Sequence, residues 1–274
     1  MPRRTIFITG AASGIGRAIA QRFAREGWFI GLADIHQAGM AETVGLLPAG
    51  CASVHPLDVT DRDAWDRALE AFAGAASGQI DVVVNNAGIA LGGDLAEASA
   101  EEIDRVVAVN FKGAIYGAHA AYPWLAASAP GSCLLNTGSA AGIYGSAGTA
   151  VYSATKFGVR GLTEALDAEW SEDGIRVCSL MPSYIDTPLL DRPPNARQTA
   201  LMRDIVTHAG REITPVEDVA ETAWQAVHSS RLHWIVGKTA REVGFAARWF
   251  PGRLRRRMRE VAAQRRSLTA KPDR

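Results

Sequence analysis

The sequence predicts an α/β protein built on a doubly wound, mostly parallel sheet of seven strands with helices on both faces. Three observations carry that expectation. Short, continuously apolar runs recur along the chain, as in strands buried on both faces. Between them lie stretches whose apolar residues repeat at helical spacing, and strands alternating with helices make parallel sheets. The first run also passes through a glycine-rich turn directly into a helix.

Taken in order, residues 6–9 read as the first strand and Gly10, Gly14 and Gly16 as the turn, after which Ile15, Ile19 and Phe23 recur at helical spacing. A second strand at 28–33 ends in Asp34, and a weaker helix follows over 37–47. Two strands joined by a helix form a βαβ unit with a right-handed crossover. A strand at 51–57, a helix at 62–75 and a strongly apolar strand at 80–85 continue the alternation. The long helical region at 101–127 is expected to break or bend near Asn110. Residues 132–137 are the fifth strand, 149–170 a helix, and 175–181 a sixth strand closed by Pro182. From 183 to 214 the pattern lapses into Pro188 and Pro193-Pro194, with a helical piece near 198–208. A segment of that length without a clear strand is more often functional than idle, and a lid is the expectation. A helix at 216–229, opened by Pro215, and a strand at 233–236 complete the sheet. With no repeat, low-complexity tract or linker, residues 1–239 are expected to form one catalytic domain and 240–274 a basic helical extension.

The chain is electrically lopsided although its formal net charge is zero. Residues 240–274 hold 11 Lys/Arg against three Asp/Glu, leaving 18 against 26 in the body. Cys51, Cys133 and Cys178 are odd in number and lack metal-ligand spacing, which argues against a disulfide framework or a zinc site. The first apolar run begins at Thr5, which leaves no room for a signal peptide, and no later run reaches membrane-spanning length. The expected location is cytoplasmic.

Two local patterns carry chemistry. Glycines between a strand and a helix permit a tight turn and let a pyrophosphate approach the helix N-terminus. Asp34, 18 residues past Gly16 at the end of the second strand, strengthens a Rossmann-like reading, because a carboxylate there accepts from both ribose hydroxyls and repels a 2′-phosphate. NAD is therefore favoured over NADP. The second pattern is Tyr152 and Lys156, four residues apart and on one face of a helix. An ammonium beside a phenol favours the phenolate, so the pair predicts a tyrosine tuned downward for acid/base work.

In combination the motifs resemble those of the short-chain dehydrogenase/reductase superfamily. Thr9-Gly10-Ala-Ala-Ser-Gly14-Ile-Gly16, Asn85-Asn86-Ala87-Gly88, Asn110, Ser139, Tyr152-x-x-x-Lys156 and the segment from Pro182 to Thr187 match in order, over roughly residues 4–237. The resemblance implies a hydride-transfer enzyme interconverting a secondary alcohol and a ketone. By it, Tyr152 is the general acid/base, Lys156 lowers its pKa and binds the nicotinamide ribose, Ser139 hydrogen-bonds the carbonyl, and Asn110 holds a water near Lys156. Gly10, Ser13, Gly14, Ile15, Gly16, Asp34 and Asn86 would line the cofactor groove, Asp58 and Val59 flank the adenine, and Ile185 and Thr187 meet the nicotinamide end. Ser13, where NADP-using relatives often carry a basic residue, again supports NAD. Ser183 and Gly138 depart from the pattern, standing where the family usually has glycine and serine.

The resemblance also implies a homo-oligomer, a dimer or tetramer, assembled through the 101–127 and 149–170 helices. Leu189, Leu190, Leu201, Met202, Ile205 and Val206 in the lid hint at an apolar substrate, or pack the lid down. Leu254, Met258 and Val261 form one apolar stripe in an arginine-rich tail, a pattern that suits packing on the body and also suits an anionic membrane surface. Packing is the preferred reading, with nucleic acid behind both. The rival to an enzyme is a catalytically idle NAD(H)-binding sensor or scaffold that reaches a partner or membrane through this tail.

Overall fold

The seven apolar runs become seven strands in the computed structural model, which describes residues 3–269: β1 (Thr5–Thr9), β2 (Phe29–Asp34), β3 (Ala52–Pro56), β4 (Val82–Asn85), β5 (Cys133–Thr137), β6 (Arg176–Pro182) and β7 (His233–Val236). Every pair is parallel, in the order β3-β2-β1-β4-β5-β6-β7. The helices are α1 (Gly14–Arg25), α2 (Gln37–Gly45), α3 (Arg62–Ala75), α4 (Ala100–Val107), α5 (Gly113–Ala127), α6 (Ala150–Glu169), α7 (Met202–His208), α8 (Val216–Val227), α9 (Lys238–Trp249) and α10 (Pro251–Thr269).

Strand residues alternate between two cores, which is why the strands read as continuous apolar runs. Ile6, Ile8, Val82 and Val84 join Ile19, Phe23 and Val219 under α1 and α8. Phe7, Val83 and Leu134 join Trp65, Phe72 and Leu125 under α3 and α5. Local signals set the helix starts. Asp61 accepts from the amides of Asp63 and Ala64 at the head of α3, at 2.9 and 3.1 Å, and Ser99 with Glu102 forms a capping box on α4. Chain order reverses between β1 and β4, so a crevice opens there at the carboxyl ends of the strands.

Asn110 marks the expected break in the 101–127 region. Residues Ala108–Lys112 form a π-turn between α4 and α5, a wider turn that proteins place at functional sites. The tail differs from a single extension. Its first helix, α9, begins at Lys238 inside the expected catalytic unit, and Pro251 opens a second helix after a non-helical Phe250. Residues 270–274 of the expected extension lie outside the described residues. Among the described residues no helix is long and apolar enough to cross a membrane.

Candidate active site

The glycine-rich turn is shaped by its neighbours. Gly10 and Gly14 adopt φ of 67° and 52°, which favour glycine, and a Cβ on Gly16 would fall 2.2 Å from the Gly10 carbonyl oxygen. Ser13 sits at the N-cap of α1, exposed, with no side-chain cap bond. The helix dipole and first-turn amides at this end favour an anionic group. Asp34 closes the far wall: its carboxylate accepts from the amides of Ala12 at 3.1 Å and His36 at 3.0 Å. Arg17, on the first turn of α1, is committed to the carbonyls of Ala12 and Gly39, Thr43 and the Glu42 carboxylate.

Asn86 ties this turn to β4. Its amide donates to Thr9 Oγ1 at 3.0 Å, its side-chain nitrogen to the Thr9 carbonyl at 2.9 Å, and its side-chain oxygen accepts from Thr137 at 3.2 Å. Asp58 is exposed and turned onto the Thr60 amide and hydroxyl, at 2.9 and 2.7 Å. Val59 is buried, with its carbonyl taking the Trp65 indole N–H at 3.1 Å. Both ends of the Asn110 carboxamide bracket Ile89, each at 2.8 Å.

Tyr152 and Lys156 project from α6, as their spacing predicts, and Lys156 is only 4% exposed. Its ammonium donates to the Thr137 carbonyl at 2.8 Å and lies 5.7 Å from the Tyr152 ring centroid. Burial pulls the amine down to about 8. Burial also pushes the Tyr152 phenol up, against an opposing hydrogen bond from Ser139. This corrects the expectation of a tyrosine tuned downward by its lysine: desolvation outweighs the favourable contact, and that contact is with Ser139. Ser139 Oγ also accepts from the Ala141 amide at 3.1 Å. A side chain on Gly88 would meet Asn110 Oδ1 at 3.4 Å and Lys156 Nζ at 3.7 Å, so both groups flank one glycine. Thr9, Asn85, Asn110, Thr137 and Lys156 share a small polar cavity, a site that suits a bridging water.

Thr187 packs over the Gly14 backbone, bringing the segment after β6 onto the nucleotide turn. The Ile185 side chain is buried in the core, so it meets a ligand only through its backbone. Both departures from the family pattern have local reasons. A Cβ on Gly138 would lie 2.9 Å from the Leu180 carbonyl oxygen, and the Ser183 hydroxyl occupies the space that a side chain on Gly237 would fill, 2.3 Å from its Cβ position. In the segment expected to be a lid, Leu190 and Val206 are buried and pack it down, whereas Ile205 is exposed. This segment is bonded to the loop after β4: Asn195 donates to the Gly92 carbonyl at 2.6 Å, and the Gly92 amide to the Pro194 carbonyl at 2.7 Å.

Sequence reasoning assigned no role to Thr9 or Thr137. Thr9 Oγ1 receives the amides of Asn86 and Ala87, and the Thr137 carbonyl holds the lysine. A hydroxyl at the carboxyl end of an otherwise apolar strand was the available signal for Thr9. A backbone carbonyl leaves no signal at all.

The family model described as short chain dehydrogenase matches residues 4–198. A 3-oxoacyl-(acyl-carrier-protein) reductase of Thermotoga maritima is 37% identical over 203 residues, 73% of this chain and 82% of the relative. Meso-2,3-butanediol dehydrogenase of Serratia marcescens is 32% identical over 223 residues, 81% and 87% of the two chains. The crystal structure of a 3-ketoacyl-(acyl-carrier-protein) reductase of Brucella melitensis complexed with NADH superposes with a TM-score of 0.74, at 29% identity, covering 85% of this chain and 96% of the other.

Proposed function

This chain belongs to the short-chain dehydrogenase/reductase family of oxidoreductases, and from that premise we propose that it interconverts a secondary alcohol and a ketone with NAD(H), using Tyr152 as general acid/base. One observation carries the reading. Lys156, which shares a helix face with Tyr152, is buried with its ammonium on the Thr137 carbonyl at the end of β5 and faces Gly88 together with Asn110.

The site fits a dinucleotide. Glycines leave the turn open for a pyrophosphate, and each Asp34 oxygen keeps a lone pair for a ribose hydroxyl beyond the amide it accepts. Bound there, the nicotinamide supplies or takes the hydride. The rest falls to the chain's own groups. Ser139, whose single hydroxyl proton points to the Pro182 carbonyl at 3.5 Å, turns it to the developing oxyanion in the reaction. Tyr152, whose pKa is raised, is protonated at neutral pH and gives its proton to the carbonyl oxygen in reduction; in oxidation it removes the hydroxyl proton. Lys156, fixed on the Thr137 carbonyl, offers N–H donors to a ribose and a positive charge near the phenol. Asn110 secures the Ile89 backbone and lines, with Lys156, the small cavity that would hold a water of the proton relay. Gly10, Ser13, Gly14, Ile15, Gly16 and Asn86 line the dinucleotide groove, Asp58 and Val59 its adenine end, and Ile185 and Thr187 its nicotinamide end.

We place catalysis in residues 1–239, with 183–214 as lid, and expect a homo-oligomer through α5 and α6, whose Tyr122 and Phe157 are 38% and 42% exposed. The experiment is NADH and NADPH titration of the purified protein, followed by a screen of alcohols and ketones. NADH should bind at least about tenfold more tightly than NADPH, and Asp34→Ala should erase that margin, since a hydrogen bond to a charged group contributes about 1.5–3 kcal/mol. Equal affinity for both cofactors in the unmodified protein would overturn the NAD assignment.

A further inference from the structure

The elbow between α9 and α10 leaves its aromatic side chains in the open. Phe245, Trp249 and Phe250 are 60%, 61% and 43% exposed, although large apolar side chains are ordinarily buried. The Phe245 and Phe250 rings lie 5.8 Å apart with the Arg253 guanidinium 5.2 Å from the Phe250 centroid, and Trp249, next to Phe250 in the chain, has Arg248 5.4 Å from its own centroid. Beyond it Arg255, Arg256, Arg257 and Arg259 are exposed. Among the described residues, no ion pair joins any arginine from 241 to 259 to a carboxylate.

Packing on the body, the preferred reading of the sequence, accounts for only one face of the tail. Leu254 is buried and Met258 and Val261 are half-buried, and the helix that α10 packs against is α9, which itself meets β7. The aromatic elbow and the arginine face remain uncovered. We propose that this elbow is a docking surface for an anionic lipid bilayer, with the three rings entering the boundary between headgroups and acyl chains and the guanidinium groups on lipid phosphates. Charge selects this occupant. Residues 241–260 carry seven arginines against Glu242 and Glu260, so a second copy seated symmetrically on the same surface would set like charge against like charge. An anionic headgroup layer satisfies the arginines and the rings at the same depth, as interfacial aromatic belts do. The proposal is independent of the cofactor and substrate readings, because none of these residues belongs to the crevice.

The test is co-sedimentation of the full-length protein with vesicles of phosphatidylcholine alone and of phosphatidylcholine mixed with phosphatidylglycerol. Sedimentation with the mixed vesicles is expected to exceed that with the neutral ones by about tenfold and to fall with added salt. The double change Trp249→Ser with Phe250→Ser, and separately Arg255→Glu with Arg256→Glu and Arg257→Glu, should each cut it by about tenfold, with the oligomeric state and NADH binding of the protein preserved. The arginine variant alters only exposed side chains, so it keeps the test valid if the aromatic variant folds poorly. No preference for the anionic vesicles, or sedimentation undiminished in the arginine variant, overturns the proposal. A change of oligomeric state in the aromatic variant without loss of sedimentation also overturns it and makes the elbow an interface between copies.

Discussion

The crevice at the ends of β1, β4 and β5 and the lid that borders it are held by different kinds of contact. In the crevice, side chains are fixed by buried or half-buried partners on neighbouring elements: Asn86 on the Thr9 carbonyl, Lys156 on the Thr137 carbonyl, and Asn85 on the Asn136 side chain and the Ala114 carbonyl of α5, both at 3.0 Å. Asn136 in turn donates to Thr163 of α6 at 3.0 Å, which ties the helix bearing Tyr152 to the sheet. The proposed lid is anchored by the buried side chains of Ile185, Leu190 and Val206, and its outer part is held by exposed ion pairs, Arg203 with Asp186 at 2.8 Å and with Asp191 at 2.6 Å, and by bonds to Gly92. A buried network over-determines geometry, whereas exposed pairs contribute little and exchange readily. On the reading proposed above, the reaction belongs to the buried network and substrate choice to the segment that can change without loosening the sheet.

The sharpest way to break this contrast is Tyr152→Phe. Turnover should fall by about 10³-fold, within the range for loss of a general acid/base, while NADH binding changes little. Retained activity would remove the tyrosine from the chemistry and erase the distinction between the two regions.

A second effect reads the burial of Lys156. Its amine has an ordinary value of 10.5 in the unfolded chain and about 8 in the fold. Between those values the unfolded chain binds more proton, so stability from this group rises as pH goes from 8 to 10.5. The gain is on the order of 3 kcal/mol across the window. Urea unfolding at both ends, compared with Lys156→Met, isolates it, since other groups titrate alike in both proteins. Parallel pH dependences in the two would show that the lysine is not desolvated.

The smallest expected effect lies in the lid. Arg203→Ala should change unfolding free energy by less than about 1 kcal/mol, because its ion pairs are exposed. The KM for substrate should shift severalfold with kcat nearly constant. A loss of stability as large as that for a buried network would place the lid with the rigid half.

What could be read from the sequence was local. The strand and helix periods, the Gly10–Gly14–Gly16 turn, the bend at Asn110 and the four-residue spacing of Tyr152 and Lys156 are all set within one or two elements. What could not be read depends on contacts distant in sequence. The direction of the Tyr152 shift follows from burial, which spacing does not encode. The accommodation of Ser183 by Gly237 joins residues on two neighbouring strand ends. The exposure of Phe245 and Trp249 likewise contradicts what their apolarity alone would indicate, because it depends on which face of α9 meets β7.

The pairing of β1 with β4 sets an order of assembly. Ile6 stands beside Val82, and the Thr5 amide donates to the Asp81 carboxylate at 2.8 Å, so the first strand is completed on one side by residues far along the chain. Contacts that span such a stretch close slowly, because loop entropy is lost before they form. As the chain leaves the ribosome, β1 can pair with β2 early, but the crevice wall supplied by Asn86 is absent until β4 arrives. Affinity for a dinucleotide is thus a late property of the nascent chain, and a bound cofactor stabilises only the species in which both halves of the sheet have met.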